Sequence, residues 1–156
     1  MATVKAKYLG DLRLECTHLQ SGTKIITDAP TDNNGKGEAF SPTDLCSTSL
    51  AACAMTIMGI YAKNNGIDLT GAEIEITKKM AAEPRRIAEI DVIFNMPANG
   101  YSEKEKKILE RVAHTCPVHL SLHPDVKQNF VFIRTNYSID VGMQRVDTGW
   151  IRSGLI

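Results

Sequence analysis

Four cysteines are the residues of this chain best able to do redox or nucleophilic chemistry, and Cys116 has the most informative neighbours. Pro117 follows it directly, and proline suits the first position of a helix, which predicts Cys116 as the N-cap. The sulfur would then face unpaired backbone N–H groups and the positive end of the helix dipole, with His119 one turn further on. Such surroundings lower the pKa of a thiol and favour a reactive thiolate. The simpler interpretation is a small apolar residue at a tight junction.

The other three cysteines lie in sequence surroundings typical of core positions. Cys46 and Cys53 lie in one predicted helix, where a free cysteine is normally part of the core. Seven residues of helix separate them by about 10 Å along the axis, too far for a disulfide. Cys16 shares the alternation of Leu12 and Leu14 along a predicted strand, which predicts a core position. These thiols are expected to be reduced, because the N-terminus has no apolar leader and the protein is predicted to be cytoplasmic.

A zinc site is the alternative use of this region, since His114, Cys116, His119 and His123 lie close together in sequence. No C-x-x-C pair accompanies them, and Pro124 follows the last histidine, so no metal is expected. The chain has 156 residues, enough for one domain spanning 1–156, and its formal net charge is zero. That balance gives no reason to expect a nucleic-acid partner.

The long helix that carries Cys53 has clear start and stop signals. Ser41 can cap it, Pro42 fits the first position and Asp44 completes a capping box. The helix should end near Asn64 and be buried on every side, because Leu45 to Ala62 is apolar nearly all round. One sheet of a small domain cannot cover it, which predicts a partner subunit. Serines and threonines dilute the stretch, which favours a buried helix over a membrane span.

The remaining elements follow from hydrophobic periodicity and turn residues. A loop over 28–40 contains Gly-Lys-Gly, but its spacing does not fit a phosphate-binding loop. A hairpin is predicted to turn at Glu83-Pro84, and Ser102 with Glu105 forms a second capping box. The predicted strands span 4–8, 12–18, 23–27, 72–80, 90–96 and 130–139, helices follow at 102–115 and 118–122, and 140–156 is unassigned.

Three sequence segments together resemble the OsmC/Ohr family, the osmotically inducible protein C and organic hydroperoxide resistance proteins. They are Phe40-Ser-Pro-Thr-Asp-Leu45, Leu50-Ala-Ala-Cys53, and Cys116-Pro-Val with Ser121-Leu122. The resemblance implies an α+β, OsmC-like fold with antiparallel sheets and a long buried central helix in an intertwined homodimer.

The same resemblance implies a thiol-dependent peroxidase used in oxidative stress defence, without metal or organic cofactor. Cys53 would attack an organic hydroperoxide and become a sulfenic acid, and Cys116 would resolve it as a disulfide that an external dithiol reduces. The alternative hypothesis is a non-catalytic relative that binds a small apolar or acyl ligand in the dimer groove.

The chain departs from the hydroperoxide-reducing members at two supporting positions. They carry a glutamate ten residues before the first cysteine, where this chain has Thr43, with Asp44 next to it. Their arginine on the loop before the central helix is also missing, and Arg13 on an earlier strand is the available substitute. The sequence therefore resembles an OsmC-like branch with Ser-Pro-Thr-Asp-Leu, in which activation of Cys53 is expected to be weak.

Overall fold

The computed structural model describes residues 1–135, so residues 136–139 of the predicted last strand and the tail over 140–156 lie outside the described residues. The chain divides into two compact units, Met1–Thr48 and Ser49–Ile156. The elements are β1 (Val4–Gly10), β2 (Arg13–His18), β3 (Lys24–Thr27), α1 (Pro42–Asn64), β4 (Glu73–Ala82), β5 (Arg85–Pro97), α2 (Glu103–Ala113), α3 (Pro117–Ser121) and β6 (Lys127–Thr135).

The first unit contains a three-stranded sheet in the order β1-β2-β3, with both strand pairs antiparallel. The loop after β3 is closed at its base, where the Asp28 N–H donates to the Phe40 carbonyl over 3.1 Å. Inside the loop, the Glu38 N–H donates to Asp28 Oδ2 over 3.0 Å. Cys16 on β2 is only half-buried, because this sheet presents much of its surface to solvent within the single chain, and the prediction of a core position is wrong.

Helix α1 begins and ends as its sequence signals predict. The Ser41 N–H and Oγ donate to Asp44 Oδ2 over 2.8 and 2.7 Å, and the Asp44 N–H donates back to Ser41 Oγ over 3.1 Å. At the other end, Gly66 has a φ of 69°, a left-handed conformation that glycine adopts without strain. The local rules for helix ends therefore hold for the helix that carries Cys53.

The burial of α1 is one-sided within the chain. Leu50, Ala54 and Met58 are fully buried, whereas Ile60 is 54% exposed. Ala52 and Thr56 share the exposed face with Ile60. By length and composition α1 could also cross a membrane, and 33% of that apolar window is buried inside the chain.

The second unit contains a sheet in the order β4-β5-β6. The predicted hairpin of β4 and β5 is antiparallel, but β6 pairs with β5 in parallel, with Phe94 opposite Phe132. The sheet is therefore mixed, where the sequence predicts antiparallel sheets. The chain between β5 and β6 forms α2 and α3, and a crossover of that length allows parallel pairing, whereas a tight turn does not.

The core of the second unit lies between α1, α2 and one face of β5. Alternate residues of β5 are buried, as expected for a strand with one face on the core, and they pack with the inner faces of the helices. Phe94 stacks on Phe132 with ring centroids 4.8 Å apart. Cys116 belongs to this core and Cys53 packs against it, so the packing of this unit brings two thiols together.

Candidate functional site: two thiols in the core of the second unit

Cys116 occupies the N-cap of α3, as the sequence predicts. Its backbone is extended, with φ −67° and ψ 142°, and Pro117 is the first helical residue. The His119 N–H donates to Cys116 Sγ over 3.2 Å. The chain cannot remain helical from α2 through Cys116, because a residue before proline is disfavoured in helical conformation. This break aims the cysteine side chain at the first N–H groups of α3.

The prediction that this cap lowers the pKa of the Cys116 thiol is wrong. Burial raises the pKa, since the residue is fully buried and a thiolate there would lose its hydration. The N–H groups of His119 and Val118 act in the opposite direction but do not outweigh burial. A buried thiol at a short helix is therefore held mostly in its protonated form.

Cys53 lies on α1 and is half-buried. A hydrogen bond with the Cys53 side chain, together with charge on that sulfur, raises the pKa of Cys116 further. Such a bond favours the protonated form of Cys116. Two cysteines far apart in sequence thus lie within hydrogen-bonding reach, with the more accessible sulfur on α1.

The other residues predicted to support Cys53 belong to the first unit. Asp44 is engaged in the capping box with Ser41, and Thr43 Oγ1 lies 3.0 Å from Ser41 Oγ. Arg13 Nη2 lies 3.3 Å from Asp28 Oδ2 and also forms an ion pair with Glu38. Arg13 therefore already has two carboxylate partners, and a role for these three residues beside Cys53 remains a prediction.

Asp28 is an ionic residue that sequence reasoning missed. Its side chain is buried, and the Glu38 N–H, followed by the Arg13 guanidinium, holds the pKa of its carboxyl below the usual range. Asp28 stands at the start of a polar loop in the sequence, where aspartate is common. No local pattern distinguishes a buried ion-paired aspartate from a turn residue, so this contact needed the structure.

A ring cluster next to Cys116 was also missed as a unit. His114 and His119 have ring centroids 5.2 Å apart, and His114 stacks on Phe130 at 4.6 Å. The sequence pattern indicates these histidines as candidate zinc ligands, and His119 also as part of the field at the cap, but it does not indicate a contact pair. Within residues 1–135, no group of histidine, cysteine and acidic side chains is arranged to hold a metal ion.

Fold and site together define an α+β protein with a pair of neighbouring free thiols at the edge of its core. The family model for OsmC-like protein matches residues 35–130, more than half of the chain. This protein belongs to the OsmC-like family. The resemblance stated from the sequence motifs is therefore confirmed.

Solved structures support the assignment. The chain is 51% identical to a protein from Psychrobacter arcticus 273-4 whose name refers to osmotic stress induction and a detoxification response. That match covers 85% of this chain and 96% of the other, with a TM-score of 0.81. A comparison with curated proteins gives no significant match.

More distant structures share the fold. An organic hydroperoxide resistance protein OsmC from Legionella pneumophila is 21% identical with a TM-score of 0.63, covering 85% of this chain and 97% of that one. A protein from Vibrio cholerae that is named for organic hydroperoxide resistance, with captopril in one of its active sites, is 15% identical. Its TM-score is 0.65, and the match covers 85% of this chain and 92% of that chain. The α+β, OsmC-like fold predicted from the sequence is thereby confirmed.

Proposed function

We propose that this protein is a cytoplasmic, homodimeric thiol peroxidase that reduces organic hydroperoxides through Cys53 and Cys116. The observation that carries the proposal is the contact between these two thiols, which lie far apart in the sequence and meet only in the folded chain. Membership of the OsmC-like family, whose structural relatives include proteins named for organic hydroperoxide resistance, supports the substrate class.

The accessibility of the two sulfurs supports the order of attack. A peroxide must reach the sulfur that it oxidises, and Cys116 is fully buried whereas Cys53 is half-buried. The Cys53 thiolate attacks the O–O bond and takes one oxygen as a sulfenic acid, while the other leaves with a proton as the alcohol. The fuller burial of Cys116 favours Cys53 as the nucleophile, in agreement with the order that the family resemblance implies.

Resolution and reduction complete the cycle. The Cys116 sulfur attacks the sulfenic sulfur of Cys53, which forms the disulfide and releases the hydroxyl group with a proton as water. An external dithiol then transfers two electrons and two protons, restores both thiols and leaves as its own cyclic disulfide. A slow peroxide step is expected, because Thr43 replaces the family glutamate. Turnover should be at least about tenfold below that of a glutamate-bearing relative, equivalent to roughly 1.4 kcal/mol in the barrier.

The test combines turnover with thiol mapping. Purified protein is supplied with cumene hydroperoxide and dithiothreitol, and kcat/KM is measured for the wild type and for Cys53→Ser, Cys116→Ser, Cys46→Ser and Arg13→Ala. We expect Cys53→Ser to lose activity and Cys46→Ser, the matched control on the same helix, to retain it. Arg13→Ala should reduce kcat/KM if Arg13 supports the thiolate. If the wild-type kcat/KM equals that of a glutamate-bearing relative and Arg13→Ala does not change it, another group must activate Cys53.

Peptide mapping after stoichiometric peroxide gives the second measurement. Two thiols per chain should disappear as a Cys53–Cys116 disulfide, with Cys16 and Cys46 remaining as reduced thiols. A Cys46–Cys53 disulfide would contradict both the helix assignment and the mechanism, and no thiol loss at all would favour the ligand-binding hypothesis.

A further inference from the structure

The neighbouring thiols of Cys53 and Cys116 are also a pair of potential metal ligands. Both cysteines are free in this structure. Cys116 belongs to the core of the second unit and Cys53 packs against that core, with a hydrogen bond between their side chains. The two residues are carried by different elements, α1 and the start of α3. In the reduced protein, two soft sulfur ligands therefore stand side by side without a covalent bond between them.

The number of ligands at this position limits which metal ions fit. Within residues 1–135, no three side chains among the histidines, cysteines and acidic residues are arranged to hold a common ion. A structural zinc site takes four protein ligands and a catalytic zinc site takes three, so a pair of cysteines is too small a set for zinc. Calcium and magnesium prefer oxygen ligands. A pair of sulfurs suits an ion that needs only two ligands.

Burial of the pair favours soft monovalent ions. Copper(I) and silver(I) prefer sulfur ligands and form stable linear complexes with two thiolates. Cys116 is fully buried among apolar residues of the core, so water does not supply further ligands at that sulfur. Cys53 is half-buried and gives the pair one side in partial contact with solvent, from which an ion can enter. These surroundings favour a two-coordinate ion over one that keeps a hydration shell.

The hydrogen bonds at Cys116 agree with the charge of such a complex. One monovalent ion and two thiolates together carry a single negative charge. The His119 N–H donates to Cys116 Sγ over 3.2 Å, and the Val118 N–H acts on the same sulfur. Hydrogen bonds to a charged acceptor are stronger than those to a neutral one. The two N–H groups therefore stabilise a metal-bound thiolate more than the thiol that they contact in the free protein.

We propose that the reduced Cys53–Cys116 pair is a binding site for a soft monovalent metal ion of the copper(I) type. The ion forms one bond to each sulfur. Each thiol releases one proton, so two thiols and one ion give a bis-thiolate complex and two protons, with no change in oxidation state. The disulfide form offers no thiolate, and only the reduced pair binds the ion. The site needs the two thiols but not the peroxidase reaction proposed above.

Competition for copper(I) tests the site on the reduced, full-length protein without oxygen. The competitor is bathocuproine disulfonate, whose copper(I) complex is coloured, and glutathione in millimolar excess removes copper(I) from isolated thiols. We expect the wild type to retain one copper(I) per chain. Cys53→Ser and Cys116→Ser should each weaken binding at least about 100-fold, because a single thiol lacks a second ligand already in place. Cys16→Ser and Cys46→Ser are the matched controls and should bind as the wild type does.

Two further readouts on the wild type identify the ligands. X-ray absorption at the copper edge should show two sulfur ligands and no nitrogen or oxygen ligand. One equivalent of copper(I) should block the labelling of Cys53 by iodoacetamide, followed by peptide mass spectrometry, and leave the labelling of Cys46 unchanged. Zinc(II) under the same conditions should not protect Cys53. The labelling test needs no variant in the core, so it decides the question even if Cys116→Ser does not fold.

The outcomes separate this site from the peroxidase function. Wild-type affinity for copper(I) in folded Cys116→Ser, three or more ligands at the copper edge, or equal protection of Cys53 by zinc(II) would overturn the two-sulfur site. A wild type that turns over peroxide but loses copper(I) to the competitor would overturn the metal site alone. A wild type that retains copper(I) on Cys53 and Cys116 without reducing peroxide would overturn the peroxidase function and support the metal site.

Discussion

Cys53 and Cys116 are chemically identical residues that their environments make different. Cys116 has the local motif associated with an activated thiolate, a cap position before a proline, and the His119 N–H reaches its sulfur. Its full burial reverses the expected direction of the pKa shift. Desolvation of a charge in a protein core exceeds the stabilisation that a few N–H groups at a short helix provide. Burial, rather than the motif, therefore sets the direction of the Cys116 pKa shift, and it supports the proposal that Cys53 attacks the peroxide and Cys116 resolves.

Alkylation measures this difference directly. At pH 7, iodoacetamide should modify Cys53 faster than Cys116 in the folded protein. Because burial raises the pKa of Cys116, its alkylation should begin at a higher pH than that of an unhindered thiol with a pKa of about 8.5. Quantitative peptide mass spectrometry follows each site, and in urea the two rates should become similar. Faster labelling of Cys116 than of Cys53 in the folded protein would show that the cap outweighs burial.

Helix caps and the chain between β5 and β6 decide where the site residues stand. The capping box of Ser41 and Asp44 fixes the start of α1, and that of Ser102 and Glu105 fixes the start of α2. The break after α2 places Cys116 at the start of α3, and the crossover then returns the chain to pair β6 beside β5. The position of Cys116 is therefore a property of how these elements begin and end.

The α2 cap gives a stability prediction at this scale. Ser102→Ala should lower the free energy of unfolding by about 1 kcal/mol, because the Glu105 N–H in the first turn of α2 loses its acceptor. Ser121→Ala is the matched control, since the Ser121 hydroxyl donates only to the Pro117 carbonyl. Urea unfolding followed by circular dichroism measures both variants. Equal stability of Ser102→Ala and wild type would contradict a contribution from this cap.

The pH dependence of the same cap has a defined sign. Hydrogen bonds from the Ser102 backbone and side chain lower the pKa of Glu105 in the folded protein. The stabilisation is therefore present above the ordinary glutamate pKa and is lost as pH falls through the lowered folded value. Glu105→Gln should lose this part of the acid dependence, while the amide oxygen of the new side chain still accepts the Ser102 N–H. Urea unfolding of both proteins at neutral and at acidic pH measures the difference, and an unchanged acid dependence would contradict it.

At the scale of the whole molecule, α1 exposes apolar surface to solvent within the described part of the chain. Ala52, Thr56 and Ile60 form an uncharged stretch of the exposed side, which ends at Lys63 and lies opposite the side packed in the core. An uncharged helix face of this kind is ordinarily covered by another apolar surface. The homodimer implied by the family resemblance would cover it with a second copy of this chain.

Light scattering tests the dimer. We expect a dimeric mass at micromolar concentration, with more than about 2,000 Å² buried in the interface. Ile60→Asp should give a folded monomer, because the aspartate would be buried without a partner only in the dimer. Lys63→Glu is the control on the same helix, and Leu50→Asp should fail to fold since Leu50 is buried within the chain. A monomeric wild type, or a dimer unchanged by Ile60→Asp, would contradict the prediction.

The sequence by itself determined the structural features that depend on contacts between near neighbours in the chain. Both capping boxes, the end of α1 at Asn64, the β4–β5 hairpin and the cap at Cys116 depend on contacts within a few positions, and each was predicted. The motifs around the two cysteines also identified the family.

Only the tertiary structure decided how strongly the site residues are buried and which of them meet. The reversed pKa shift of Cys116, the pairing of Asp28 with Arg13, the His114–His119 contact and the parallel pairing of β6 all fall in this group. Desolvation depends on every element packed around a group, and long-range pairing depends on the path of the connecting chain. Neither leaves a local pattern, because the residues that produce it are distant in sequence.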